Sequence, residues 1–167
     1  MQDKCREEEV YTGGCACGHV RYRMEREPIV VHGCHCRYCQ RMSGSAFGIN
    51  GMIEADRLSL IGEGVPDSIQ TPSALPAGQV IHRCPRCFVA LWSHHSLLGP
   101  AVPIVYLGTL DEPSRFPPDV HCFTATKYDW IELPAGVPAF EGDYDSSIVW
   151  SKEARERLEA AFEGGSQ

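Results

Sequence analysis

A mainly β domain with one C-terminal helix is the fold class the sequence predicts, and three observations predict it. The apolar runs are short and rich in β-branched or aromatic residues, as pleated, half-buried strands require. Sixteen Gly and twelve Pro are spread along the 167 residues rather than pooled in one linker, so turns separate those runs. Only one stretch, near the C-terminus, repeats apolar residues at helical spacing over several turns.

The elements follow in chain order. Residues 1–10 read as a charged tail, residues 11–148 as the domain, and residues 149–167 as a C-terminal helix and tail. Val20 to Met24 alternates apolar and basic residues, the pattern of a half-exposed strand. Ile29, Val30 and Val31 form a β-branched run leading into a cysteine cluster. Arg37 to Met42 suits a short turn of helix, stopped by Ser43 and Gly44. Leu58–Ile61, Val80–Ile81 and Val102–Leu107 continue the strand pattern, and Pro103 favours an edge position for the last. Positions 63–79 are poor in strand formers and rich in breakers, which predicts a long loop, mobile or acting as a flap. In the final helix Ser151 suits the N-cap and Glu153 the positive end of the dipole. Ala154, Leu158, Ala161 and Phe162 make its apolar face, and Gly164–Gly165 ends it.

Composition removes some classes of function. A net charge of −7 and a pI of about 5.4 argue against nucleic acid as a partner, since phosphate binding needs clustered Lys and Arg. No apolar run approaches the roughly 20 residues of a membrane span. Met1 to Val10 has no apolar leader segment, which together with unpaired cysteine chemistry predicts a cytoplasmic protein.

Nine cysteines are present, an odd number, and seven fall into three clusters: Cys15-Ala16-Cys17, Cys34-His35-Cys36-Arg37-Tyr38-Cys39 and Cys84-Pro85-Arg86-Cys87. In a reducing compartment such clusters bind metal or do redox chemistry. If extended, Cys15 and Cys17 point the same way, because side chains repeat every second residue of a strand. Cys84 and Cys87 have the two-residue gap of a zinc knuckle. With 66 residues between Cys17 and Cys84, an ion shared by these pairs would clamp the start of the domain to its middle. Cys34, Cys36 and Cys39 can hold one ion without a distant ligand, leaving a fourth position for water or substrate. Alternatively His32, His35, His82, His94, His95 or His121 closes that site, and spacing alone also allows Cys15 and Cys17 to join the central group. Cys5 reads as a spare tail thiol and Cys122 as a packed small side chain.

Taken together, several segments resemble one family: Gly13-Gly-Cys-Ala-Cys-Gly-His-Val-Arg-Tyr22, the run from Cys34 to Gly48, Cys84-Pro-Arg-Cys87, His121-Cys-Phe123, Lys127 to Ile131 and Pro138 to Phe140. The sequence is similar to the glutathione-dependent formaldehyde-activating enzymes, which include the centromere protein V relatives. The resemblance covers about residues 11–141. It implies a β-tent (Mss-like) fold and two Zn²⁺ ions per chain. By that resemblance Cys15, Cys17, Cys84 and Cys87 hold a structural zinc, and Cys34, Cys36 and Cys39 a catalytic one. It also implies a small thiol such as glutathione and a small aldehyde as partners, joined as in S-hydroxymethylglutathione by a carbon–sulfur lyase in reverse. One departure stands out: Phe88 occupies a position where the family usually has Gly, which predicts a locally different turn and a distorted structural site.

For such chemistry a metal with an open position lowers a thiol's pKa or polarises an aldehyde. Arg37 and Arg41, beside the ligands, are candidates to offset thiolate charge or hold a glutathione carboxylate. Ser43 and Ser45 are candidate hydrogen-bond donors, and His121 is a proton donor or a packed histidine. The alternative is a non-catalytic, zinc-stabilised binding module of the same fold.

Overall fold

The short apolar runs become strands because each places alternate residues in a core. The structure is a computed structural model that describes residues 9–73 and 77–164; Cys5, Gly165 and positions 74–76 lie outside the described residues. The chain begins with β1 (Tyr11–Gly14), β2 (Arg21–Met24) and β3 (Val30–Cys34), then α1 (Arg37–Ser43). Next come β4 (Gly48–Met52), β5 (Leu58–Ile61), β6 (Asp67–Thr71), β7 (Gln79–Arg83), β8 (Ala90–His95), β9 (Ile104–Tyr106) and β10 (Val120–Cys122). Two helices, α2 (Ser146–Val149) and α3 (Lys152–Gly164), follow. The fold is mainly β, in two sheets: a three-stranded sheet ordered β1-β2-β5 and a seven-stranded sheet ordered β10-β3-β4-β9-β8-β7-β6. Nearly every pairing is antiparallel; β10 lies parallel to β3 and sets Cys122 beside Cys34.

The two faces of the large sheet do different work. Val31, Ile53 and Val105 point to one side and share the main core with Tyr22 and Met24 of the small sheet, so that core lies between the sheets. Val30, Met52 and Val120 form a second cluster on the other side, covered by Ala154, Leu158 and Ala161 of α3. Fully burying a side chain such as Met24 or Ile53 contributes about 1.5–3 kcal/mol. The Ser151 hydroxyl accepts from the Ala154 N–H at 3.0 Å, the N-cap expected there. Arg157 fixes α3 to the domain: it donates to both Glu54 oxygens at 2.7 Å and to the Glu27 carbonyl at 2.9 Å. The two side chains are only 9% and 12% exposed. Burial opposes ionisation of Glu54, yet its bonds from Arg157 bring the carboxyl below its ordinary range.

Two expectations change. β9 is interior, between β4 and β8, rather than at an edge. Pro103 falls just before the first paired residue, where no N–H is needed, and its carbonyl accepts from the Ile53 N–H at 3.1 Å. The long loop over 63–79 also contains a strand: Asp67–Thr71 pairs with β7 and becomes the large sheet's edge. Its exposed, polar side chains carry no hydrophobic signal, since an edge strand needs only backbone partners. Among the described residues no helix is long and apolar enough to cross a membrane.

Candidate metal centres and the cavity beside them

Cys15, Cys17, Cys84 and Cys87 meet, with all four sulfurs within 4.8 Å of one another. Cys15 Sγ lies 3.5 Å from Cys17 Sγ, and Cys17 Sγ lies 3.7 Å from Cys84 Sγ. A Zn–S bond of about 2.3 Å gives a tetrahedral edge of about 3.8 Å, so the spacing suits zinc. Cys15 and Cys17 are not extended, as alternation suggested; β1 ends at Gly14 and a turn brings the sulfurs together, with the Gly18 N–H donating to the Cys15 carbonyl.

The two pairs are built alike. The Cys15 N–H donates to the Val20 carbonyl and the Cys84 N–H to the Val89 carbonyl, each at 3.0 Å. A left-handed residue follows the second cysteine of each: Gly18 at φ 75° and Phe88 at φ 60°. Phe88 therefore keeps the turn that the change from Gly was expected to alter. The departure shows as backbone strain, of order 1 kcal/mol for a residue with a Cβ. Backbone N–H groups point at the sulfurs, Val20 to Cys15 at 3.3 Å and Arg86 to Cys84 at 3.4 Å. Burial opposes ionisation of Cys15, but the Val20 bond and neighbouring thiols bring its pKa below the usual value. The Val89 backbone bond leads the effects that lower Cys87 to about 6. At Cys17 a bond from His19 favours the thiolate, but burial and the three adjacent sulfurs outweigh it and raise the thiol to about 11. Four full thiolates thus need a cation, and the donor set fits zinc.

The second group is local. Cys34 ends β3, Cys36 caps α1 by accepting the Cys39 N–H at 3.3 Å, and Cys39 lies in the helix's first turn. These three sulfurs also lie within 4.8 Å of one another, and no fourth His, Cys, Asp or Glu among the described residues joins them at that spacing. Buried Gln40 holds the strand-to-helix junction by donating to the carbonyls of His35 and Thr126, both at 2.9 Å. Hydrogen bonds from Cys34 and Cys39 pull Cys36 down to about 2, while the Cys36 bond helps push both neighbours well above the ordinary thiol range. Cys34 is raised first by its bond to Cys122. The protein's own groups therefore favour one thiolate of the three, and a cation is again the natural complement.

The six candidate histidines are engaged elsewhere or stand apart. His35 and His121 pair at 3.0 Å in the interior, and His82 pairs with His94 at 2.9 Å. The packed reading of His121 agrees with its burial. His32 Nε2 lies 2.6 Å from the Tyr144 hydroxyl, and burial pushes its pKa down to about 4. His95 lines the cavity described next.

Cys34, Cys36 and Cys39 border a cavity of about 470 Å³ on the α3-covered side of the large sheet. Alternate strand residues supply its floor, including His32, Asn50, Met52, Ile104 and Tyr106. Asn50 was not singled out by sequence reading. Its Nδ2 donates to Cys39 Sγ at 3.7 Å, and its Oδ1 is buried without a partner. A polar residue between two glycines in β4 is its only sequence signal. Cys122, read as a packed thiol, is buried but also lines the cavity against Cys34. Burial raises the Tyr106 phenol, which shares a hydrogen bond with Ser93.

The remaining sequence candidates lie outside this cavity's lining. Arg37 is exposed, donates to Gln40 at 2.9 Å and sits over the Tyr128 ring. Arg41 is exposed on the same helix. Ser43 donates to the Cys39 carbonyl at 2.7 Å, and with Ser45 it lines a second cavity of about 410 Å³ beside Arg83 and Phe88.

Two sheets around a core, with one four-sulfur and one three-sulfur cluster able to hold zinc, define a cysteine-rich class of β domain. The profile of the glutathione-dependent formaldehyde-activating enzyme family matches residues 10–126, and the chain belongs to that family. A crystal structure of a Rhodobacter sphaeroides protein aligns at 14% identity, covering 77% of this chain and 98% of its own, with a TM-score of 0.43. No curated protein matches.

Proposed function

We propose that the chain is a zinc-dependent carbon–sulfur lyase or synthase that adds a small aldehyde to a thiol, or removes it. Family membership supports a formaldehyde-related reaction, with glutathione as the thiol in the family's name. The single observation that carries the reading is the three-sulfur group bordering a cavity open to solvent, where a ligand can reach the metal.

In this reading Cys15, Cys17, Cys84 and Cys87 hold a structural zinc, and Cys34, Cys36 and Cys39 a catalytic one. Zinc bound there would lower the pKa of a coordinated thiol and polarise a carbonyl. The sulfur attacks the carbonyl carbon, a C–S bond forms, and the thiol proton ends on the former carbonyl oxygen. Asn50 orients Cys39 through its N–H···S bond. Tyr106, kept protonated by burial, is the proposed neutral donor to the developing hydroxyl. Met52 and Ile104 keep water from the reacting end. Arg37, Arg41 and Ser43 would act only on ligand groups reaching beyond the cavity. None of the eight described cysteines is in a disulfide, which suits the reducing cytoplasm.

Metal analysis and exchange NMR test this. Wild type should hold two zinc ions per chain, and Cys36→Ser one, with unchanged circular dichroism and no accelerated thiol–formaldehyde adduct formation. If Cys36→Ser unfolds, the triplet is structural. If small thiols neither bind nor protect the triplet from alkylation, the domain is a zinc-stabilised binding module.

A further inference from the structure

The cavity's lining says more about the ligand, and this inference rests on the reading above. No Lys or Arg is among the described residues that line it, and its one acid is Asp143. Met42, Met52, Leu98, Ile104, Phe123 and Trp150 supply a large apolar surface, and the polar groups among them are neutral hydroxyls and amides, imidazoles and thiols. Glutathione carries two carboxylates and one ammonium. Asp143 can pair with the ammonium, but no cation in the lining meets the carboxylates, and burying a carboxylate without one costs several kcal/mol.

The far wall lies outside the part of the chain that matches the family. Tyr144 and Trp150 belong to a segment beyond residues 10–126, the part that matches the family. That wall is anchored to the strand bearing Cys34: the Trp150 indole donates to the Tyr144 hydroxyl at 2.7 Å, and that hydroxyl lies 2.6 Å from His32 Nε2. Tyr144 also stacks on Phe140, with ring centroids 5.0 Å apart. The wall is therefore built rather than incidental, and it presents an indole to the space beside the sulfurs.

We propose that this cavity selects an uncharged, apolar thiol, aromatic or branched aliphatic, with its sulfur at Cys34, Cys36 and Cys39 and its body against Met52, Ile104 and Trp150. The small aldehyde adds to that sulfur: one S–C bond forms, the C=O π bond is lost, and the thiol proton passes to oxygen. Met52, Ile104 and Trp150 are then the specificity-determining residues.

The test is a titration of the zinc-loaded full chain with benzyl mercaptan, 3-mercaptopropionate and glutathione, read by calorimetry and tryptophan fluorescence. Benzyl mercaptan should bind at least about tenfold more tightly than either carboxylated thiol. Trp150→Ala should weaken benzyl mercaptan by about tenfold and leave glutathione unchanged. Should that variant fold poorly, Leu97→Arg keeps the question open to refutation, because Leu97 lines the rim and is 72% exposed. It should tighten 3-mercaptopropionate several-fold without tightening benzyl mercaptan. If glutathione binds wild type as tightly as benzyl mercaptan and protects Cys36 from iodoacetamide, the apolar assignment is overturned while the lyase reading stands. If no thiol binds or protects, the lyase reading falls and takes this one with it.

Discussion

The four-sulfur and three-sulfur clusters share a chemistry and differ in everything around it. Cys15 and Cys84 are buried members of the main core, delivered by turns far apart in sequence. Cys34, Cys36 and Cys39 belong to neither hydrophobic cluster; they sit at one strand-to-helix junction and border open space. An ion at the first position would cross-link distant chain and close a core. An ion at the second would constrain six residues already held by Gln40, so little of the fold depends on it. Sequence separation between ligands thus decides how much of the fold an ion at each site would hold.

The largest effect that would break this comparison is loss of folding. Cys84→Ser should abolish cooperative thermal melting, because structural zinc is worth roughly 10–16 kcal/mol against a typical total of about 5–15 kcal/mol. A Cys84→Ser protein melting like wild type would make the two clusters equivalent. Next comes the latch on the three-sulfur side. Arg157→Ala leaves Glu54 buried and unpaired and should cost about 3 kcal/mol in denaturant unfolding. Zinc content should stay at two per chain, since Arg157 bonds to Glu54, Glu27 and Pro28 rather than to a cysteine. The Glu54 carboxyl is depressed in the folded state, so this contribution is fully present above its unfolded pKa and fades as pH falls through the folded one. The Arg157→Ala deficit should accordingly shrink on acidification.

A smaller effect concerns chemistry alone. Asn50→Ala removes the N–H···S bond to Cys39 and should lower kcat/KM about tenfold, with melting close to wild type. Equal activity would make Asn50 a packing residue. The smallest test sharpens the four-sulfur side. Phe88→Gly relieves a left-handed backbone at a 66% exposed side chain, and should raise stability by about 0.5–1 kcal/mol. Unchanged or lower stability would mean that Phe88 makes contacts that offset its strain.

Legibility in the sequence followed the same division. The cysteine groups were readable because ligand spacing is a local constraint, and the C-terminal helix because its cap and apolar face lie within one segment. β4 was not readable: Gly48-Ile49-Asn50-Gly51-Met52 has weak strand propensity, and its pairing comes from β3 and β9. The glycines there answer to neighbours. A Cβ on Gly51 would lie 2.8 Å from Leu107, and one on Gly48 3.2 Å from the Cys39 Cβ. β6 carries no hydrophobic signal because its side chains are polar, and the proline before β9 suggests an edge that the sheet order does not give.

By itself, then, the sequence determined a mainly β chain, the three clusters and the family resemblance, since all of these rest on residues near one another or on recurring motifs. The tertiary structure decided which pairs of cysteines meet, that Phe88 keeps the left-handed turn, and that Arg37 and Arg41 lie outside the cavity while Asn50, Cys122 and Trp150 line it. Those outcomes depend on strands and turns brought together across the whole chain. Long-range packing specifies them, and no local pattern carries that information.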